Sequence, residues 1–379
     1  MKNRLKRIAA SVSAICLAAT FCTSLTASAV TLSPNTVTPK HGTFWNSYWH
    51  SNYGNIVLDY CRSNQDHQDY LYTPGRNIRA VSTSSFHDII SANYNDVLRV
   101  YGSDYQISQA GQCGLYNAEK AYDFLSTNGY TYTEPLYIAI NDFITHSHTG
   151  DGARENAWAA DNTIFLGMGS TDTTKENATG FNGSATDIVT HELMHLVTGK
   201  EIGWIDYGAV STETTALMEA YSDILAELAD EQHDWKFGAT LFLNNSPAKD
   251  YSYRNIACPS ATNNPDAPNE HYCTTYQEFT YFMAVYPNYQ NFAAAGSTVI
   301  SHAAYLMHEK GYSDQTLAKI WLKSISKYTT GTNAGFADCR EAFFEAAVEV
   351  LSQIGGRYYI AQVFDLMSAF DEVGIYSRT

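Results

Sequence analysis

From about residue 184 onward, apolar side chains recur every three to four positions, and helices are predicted over about 184–198, 213–231, 297–309, 315–328, 336–354 and 358–370. Gly199, Gly311 and Gly355 follow three of these runs and read as stop signals. The first half carries a different pattern. Residues 43–110 mix aromatics with Ser, Asn and Gly at short spacing, as short strands and loops do, and Asn77-Ile78-Arg79-Ala80-Val81 reads as a strand. A helical stretch is expected from about Ala118 to Leu125, then strands at Leu136–Ile140 and Thr163–Leu166 between Gly- and Asp-rich loops. The prediction is an α+β chain whose halves differ in class, with no repeat or linker between them.

Composition narrows the partners. With 379 residues, 45% of them hydrophobic and 16% charged, the chain is long enough for one large domain or two lobes, and disorder and coiled coil are excluded. Acids outnumber Lys plus Arg by 39 to 23, so a nucleic-acid backbone or an anionic bilayer would be repelled. No nucleic-acid or membrane partner is expected. Lys2, Arg4, Lys6 and Arg7 precede an apolar run from Ile8 to Leu25 and the small-residue site Ala27-Ser28-Ala29, which predicts an export signal over 1–29. Ser11, Ser13, Thr20, Thr23 and Ser24 interrupt the run, against a membrane anchor. A secreted, extracellular protein can keep disulfides, and Cys258 with Cys273 brackets a loop rich in Asn, Pro and Asp that would profit from closure; Cys61 with Cys113 is a second pairing. Cys339 is left as a buried thiol in a helical pattern.

The strongest chemical signal is His191-Glu192-Leu193-Met194-His195, inside an apolar pattern that suits a helix. Positions i and i+4 stand one above the other, so both imidazoles reach one tetrahedral zinc while Glu192 points beside it toward a bound water. Downstream, Glu219 and Asp223 share a helix face. Glu219 would be the third ligand, leaving the fourth position open, and Asp223 would hold the outer nitrogen of His191. A third histidine just after the motif is excluded, because Thr198 and Glu201 stand where the metzincin pattern needs Gly and His.

With these motifs the chain resembles the thermolysin family of secreted zinc endopeptidases, from about residue 75 to the end. Asn156-Ala157-Trp158 is similar to the edge strand that holds extended substrate, Arg254-Asn255-Ile256-Ala257-Cys258-Pro259 to the stretch whose Arg binds a substrate carbonyl, and Tyr207 to the tyrosine that contacts the tetrahedral intermediate. Ser297 to Met307 and Phe364 to Val373 resemble the family's later helices. The resemblance implies a two-lobed α+β zincin: a β-rich N-terminal lobe over 30–199 ending in the zinc-binding helix, a helical C-terminal lobe over 200–379, and the active site between them. Asp187, Asp230 and Asp234 fall on family calcium positions, but Lys236 and Ala239 replace carboxylates there, so at most a single Ca²⁺ is expected.

One departure concerns catalysis. Ala294 stands where the family carries its transition-state histidine, and the partner position falls near Tyr289. His302 and His308 lie in the following helical run and read as surface or packing residues. The loss of one such donor costs on the order of 100- to 1,000-fold in rate. The resemblance therefore implies a zinc-dependent endopeptidase, with attenuated activity, in which Glu192 activates a zinc-bound water. Arg254 and Tyr207 would share the developing charge, while Asn156 and Ala157 align a peptide or protein substrate; a monomer is expected. The alternative is a zinc-binding relative of weak or no activity that binds peptides. A purely structural zinc would call for four protein ligands, and three are visible; an aminopeptidase would need an anchor for a free amino terminus, which cannot be read.

Overall fold

The computed structural model describes residues 32–45, 55–83, 97–102, 105–141, 155–170, 172–175, 178–204, 210–243, 249–265, 267–289, 291–354 and 356–377. The expected export signal and Tyr207 lie outside these residues.

The N-terminal part is built on two sheets. Strands β1 (Val37–Trp45) and β2 (Asn55–Ser63) form a long antiparallel pair, extended by β3 (Asp69–Tyr70). A five-stranded sheet follows from β4 (Tyr72–Thr73), β5 (Ile78–Thr83), β6 (Leu136–Asn141), β7 (Ala157–Ala160) and β8 (Thr163–Gly167), in the order β4-β5-β6-β8-β7. Its centre, β5-β6-β8, is parallel, and both edges are antiparallel. A parallel pair needs a crossover, and α1 (Tyr105–Thr127) supplies it between β5 and β6. The side chains alternate between two cores as the pleat requires: Ile78, Ala80, Ile138, Ile140, Ile164 and Leu166 join the main core, while Val81, Ala139 and Phe165 join a smaller cluster with Val37, Cys61 and Tyr70.

Helix α1 begins 13 residues before the expected Ala118. Its first half presents small and polar residues to the sheet, and there is no room for more: a Cβ at Gly111 would fall 2.7 Å from Leu98 Cδ1 and 2.9 Å from Leu71 Cδ1. Close packing here erases the apolar stripe that identifies a helix.

The C-terminal part is helical, with α2 (Thr186–Ile202), α3 (Thr212–Ala229), α4 (Tyr276–Val285), α5 (Phe292–Glu309), α6 (Asp314–Ile325), α7 (Phe336–Ile354) and α8 (Tyr359–Glu372). Two-residue strands β9 (Lys236–Phe237) and β10 (Arg254–Asn255) pair between α3 and α4, with Arg254 opposite Phe237. Helix α2 runs through Gly199 to Ile202, because Gly203, at φ +83°, is the residue that takes the left-handed cap. The expected boundary at 199/200 thus lies inside the last turn of α2. Helix α4 was not expected; it is an aromatic segment started by Thr275, whose hydroxyl accepts the Glu278 N–H. No helix among the described residues is long and apolar enough to cross a membrane.

The cysteine pairings are corrected. All five cysteines among the described residues are free. Cys61 belongs to the small cluster and Cys113 to the main core, while Cys258 is exposed and Cys273 buried. Cys339 is the buried thiol expected of it, and burial pushes it up to about 12.

Candidate metal centre and cleft

Helices α2 and α3 pack against each other, and each contributes two functional positions four residues apart. From α2 come His191 and His195; from α3 come Glu219 and Asp223. Nε2 of His191 lies 3.0 Å from Nε2 of His195 and 3.5 Å from Glu219 Oε2, and His195 Nε2 lies 3.6 Å from Glu219 Oε1. A tetrahedral ion with bonds of about 2.0–2.1 Å has ligand–ligand edges of about 3.3 Å. The three edges found bracket that value, so the group fits zinc.

The ligands are aimed from behind. His191 Nδ1 lies 3.0 Å from Asp223 Oδ1, in a contact bent away from a straight hydrogen bond, which turns Nε2 toward the other ligands. Ser222, the neighbour of Asp223, lies 3.3 Å from His195 Nδ1. Arg254 on β10 donates to Asp223 from both Nε and Nη2, each at 2.6 Å, and its Nη2 is 3.5 Å from Glu219 Oε2. Phe237 on β9 lies tilted against His191, with ring centres 4.6 Å apart, and under the Arg254 guanidinium at 4.5 Å. Sequence reading missed Ser222, Phe237 and the Arg254–Asp223 pair. The first adjoins a flagged residue, but the other two depend on a two-residue strand pair that leaves no periodic signal.

These groups set each other's ionisation. Burial would push Asp223 and Glu219 up, yet the Arg254 guanidinium holds Asp223, and the two imidazoles with Arg254 hold Glu219, below the ordinary carboxylate range. Burial, then His191, depresses His195 to about 4, leaving it the neutral imidazole a metal requires. Burial opposes a charge on His191, but Asp223 raises it. Glu192, beside the ligands, is pushed up to about 7 by burial and by Glu219, against the pull of His191 and Arg254.

The ligands open onto a cleft of about 790 Å³. Asn156 and Ala157 line it at the sheet's edge strand β7, whose other side pairs with β8. Ile188, Phe237 and Tyr253 form an apolar recess on the α2 side. The cleft is also lined by Ala294 and Asn291 at the start of α5, with Glu270 and Tyr272. Asn291 caps α5 through its oxygen, 3.5 Å from the Ala294 N–H, and its amide donates to Glu270. Tyr272 donates to Glu270 Oε2 at 2.6 Å. This wall is polar, and Asn291, Glu270 and Tyr272 are hydrogen-bonded to one another. His302 donates instead to the Ile256 carbonyl at 2.9 Å, and His308 pairs with Asp314 at 2.9 Å, as packing and surface roles require.

Calcium finds no support. Asp187 spends Oδ1 on the Ile188 N–H at 2.8 Å and Oδ2 on the Gly238 N–H at 2.7 Å, and burial, then Asp230, pushes it up to about 7. Asp234 accepts the Lys236 N–H at 3.0 Å, and Lys236 pairs with Asp250. Among the described residues, Asp187, Asp230 and Asp234 do not gather into a metal-sized set of ligand atoms; His191, His195 and Glu219 do. Buried Glu227, unflagged in the sequence, lies close enough for Asp187 to add to the effect of burial in raising it well above its usual value.

Residues 209–375 match the family model for the thermolysin metallopeptidase, alpha-helical domain. No curated protein shows a significant match to the chain.

Proposed function

Since the chain belongs to the thermolysin family of metallopeptidases, we propose that it is an exported, monomeric, zinc-dependent endopeptidase that hydrolyses extended peptide or protein substrates. The observation that carries this reading is the set of His191, His195 and Glu219 atoms spaced at 3.0, 3.5 and 3.6 Å around one point, with Glu192 beside them. His191, His195 and Glu219 would hold zinc, which would supply an acidified water and polarise a carbonyl.

The rest of the chemistry belongs to the chain. Glu192, lifted toward neutrality by burial, takes a proton from the attacking water and hands it to the leaving nitrogen. Arg254 has Nε and Nη2 on Asp223, which leaves Nη1 to turn to a substrate carbonyl. Edge strand β7 accepts substrate as an added strand along Asn156 and Ala157. Ile188, Phe237 and Tyr253 receive an apolar side chain next to the scissile bond. Tyr207 is assigned a share of the developing negative charge on the family resemblance.

Ala294 favours a second reading, a peptide-binding protein with little turnover, since this cleft-lining position carries no imidazole. Casein hydrolysis separates the two. The purified chain is expected to cleave casein internally, to stop when 1,10-phenanthroline strips the metal, and to recover with added Zn²⁺. A zinc-loaded chain that binds casein fragments without cutting them would establish the second reading.

A further inference from the structure

A second cluster of metal-ligating side chains surrounds the start of α4. His271 and Cys273 lie on the segment leading into that helix, and Glu278 is its third residue. One nitrogen of His271, the Cys273 sulfur and a Glu278 oxygen all lie within 4.8 Å of one another. His271 Nε2 lies 3.0 Å from Glu278 Oε1.

Each of the three is held in place by something else. Glu278 Oε2 accepts the Thr274 N–H at 2.8 Å while its own N–H donates to Thr275 Oγ1 at 3.2 Å, a reciprocal cap that leaves Oε1 facing His271. The His271 ring rests on Phe282 at 4.6 Å, one turn further along α4. Cys273 is fixed through its backbone: its N–H donates to the Ala295 carbonyl at 3.0 Å, and its carbonyl accepts the Thr298 hydroxyl at 2.8 Å. The side chains thus meet from a loop, a helix start and a segment anchored to α5.

We propose that His271, Cys273 and Glu278 bind a second zinc-class divalent cation. The assignment is independent of whether the cleft hydrolyses peptides. A thiolate, an imidazole and a carboxylate together favour zinc over calcium or magnesium, which prefer oxygen alone. Tetrahedral edges to a sulfur ligand are about 3.6 Å, so from separations within 4.8 Å the Cys273 side moves inward by no more than about 1.2 Å. The thiol proton leaves to solvent as the thiolate–metal bond forms. His271 and Glu278 line a hollow of about 690 Å³ with Tyr281, Tyr286 and Tyr289, from which a water would complete the shell. The ion would join the segment carrying Glu270 and Tyr272, both in the cleft wall, to α4.

Metal counting and cobalt substitution on the purified chain test this. The parent is expected to hold about two equivalents of Zn²⁺. Its Co²⁺ form should show a near-ultraviolet thiolate-to-cobalt band, which ligands His191, His195 and Glu219 have no sulfur to produce. Cys273→Ala should lose the band and one equivalent. Glu278→Gln keeps the helix cap and His271→Ala alters a half-exposed residue, so both should fold, with cobalt affinity at this site at least about tenfold weaker. Cys258→Ser should keep the band. A parent chain with a single zinc and no thiolate band, or a band of unchanged affinity in both His271→Ala and Glu278→Gln, would overturn the proposal.

Discussion

On the α2–α3 side of the cleft, every functional atom is backed by another: Asp223 behind His191, Ser222 behind His195, Arg254 across Asp223 and Glu219. On the α5 side, Ala294 presents a methyl group, and the neighbouring Asn291, Glu270 and Tyr272 bond to one another. The first wall is a candidate metal centre in which Arg254 faces the carboxylates of Asp223 and Glu219. The second is a hydrogen-bonded network, joined by Asn264 through the Tyr272 hydroxyl, with no imidazole among its residues. Under the proposed function, the metal ligands and the position of Ala294 therefore lie on different helices, and a change at one can be read separately from a change at the other.

The largest way to sharpen this contrast is to equip the second wall. Ala294 lines the cleft, so Ala294→His is expected to raise kcat for casein peptides by about 100-fold with little change in KM. No gain would mean that the α5 side plays no part in catalysis. The next effect breaks the first wall: Asp223→Asn leaves His191 unsupported and Arg254 without its bidentate partner. Zinc affinity, measured by chelator competition, should fall about 10- to 100-fold.

The smallest effect concerns a buried acid far from both walls. Glu219 and Asp223 are held low by cationic neighbours, whereas Glu119, buried against Thr73, is raised by burial from 4.5 to about 7. Below about pH 4.5 it is protonated whether the chain is folded or not, and costs nothing. As pH rises from there to about 7 the unfolded chain ionises first, so folding loses up to about 3 kcal/mol, and the loss is constant above that. Glu119→Gln should therefore raise Tm by a few degrees at pH 8 and leave it unchanged at pH 4.

The candidate metal centre was readable because its parts obey short periods. His191 and His195, like Glu219 and Asp223, are separated by one helical turn, and a helix makes that spacing a shared direction. The β5, β6 and β8 strands were legible for the same reason, as apolar runs between turn residues. What escaped detection lies where contact replaces periodicity. Phe237 and Arg254 reach the site through a two-residue strand pair, and Glu270 and Tyr272 join the α5 wall from about 20 residues upstream of Ala294. The first half of α1 was hidden by the close approach that makes it pack, since Gly111 and Gly114 remove the side chains a pattern would use.

The central claim is that Glu192 serves the reaction while His191, His195 and Glu219 serve the ion. Glu192→Gln tests that division directly, through zinc content and casein hydrolysis measured on the same preparation. Zinc content equal to the parent with hydrolysis reduced about 100- to 10,000-fold is the expected result. Parent-level hydrolysis, or loss of the zinc together with the activity, would contradict it.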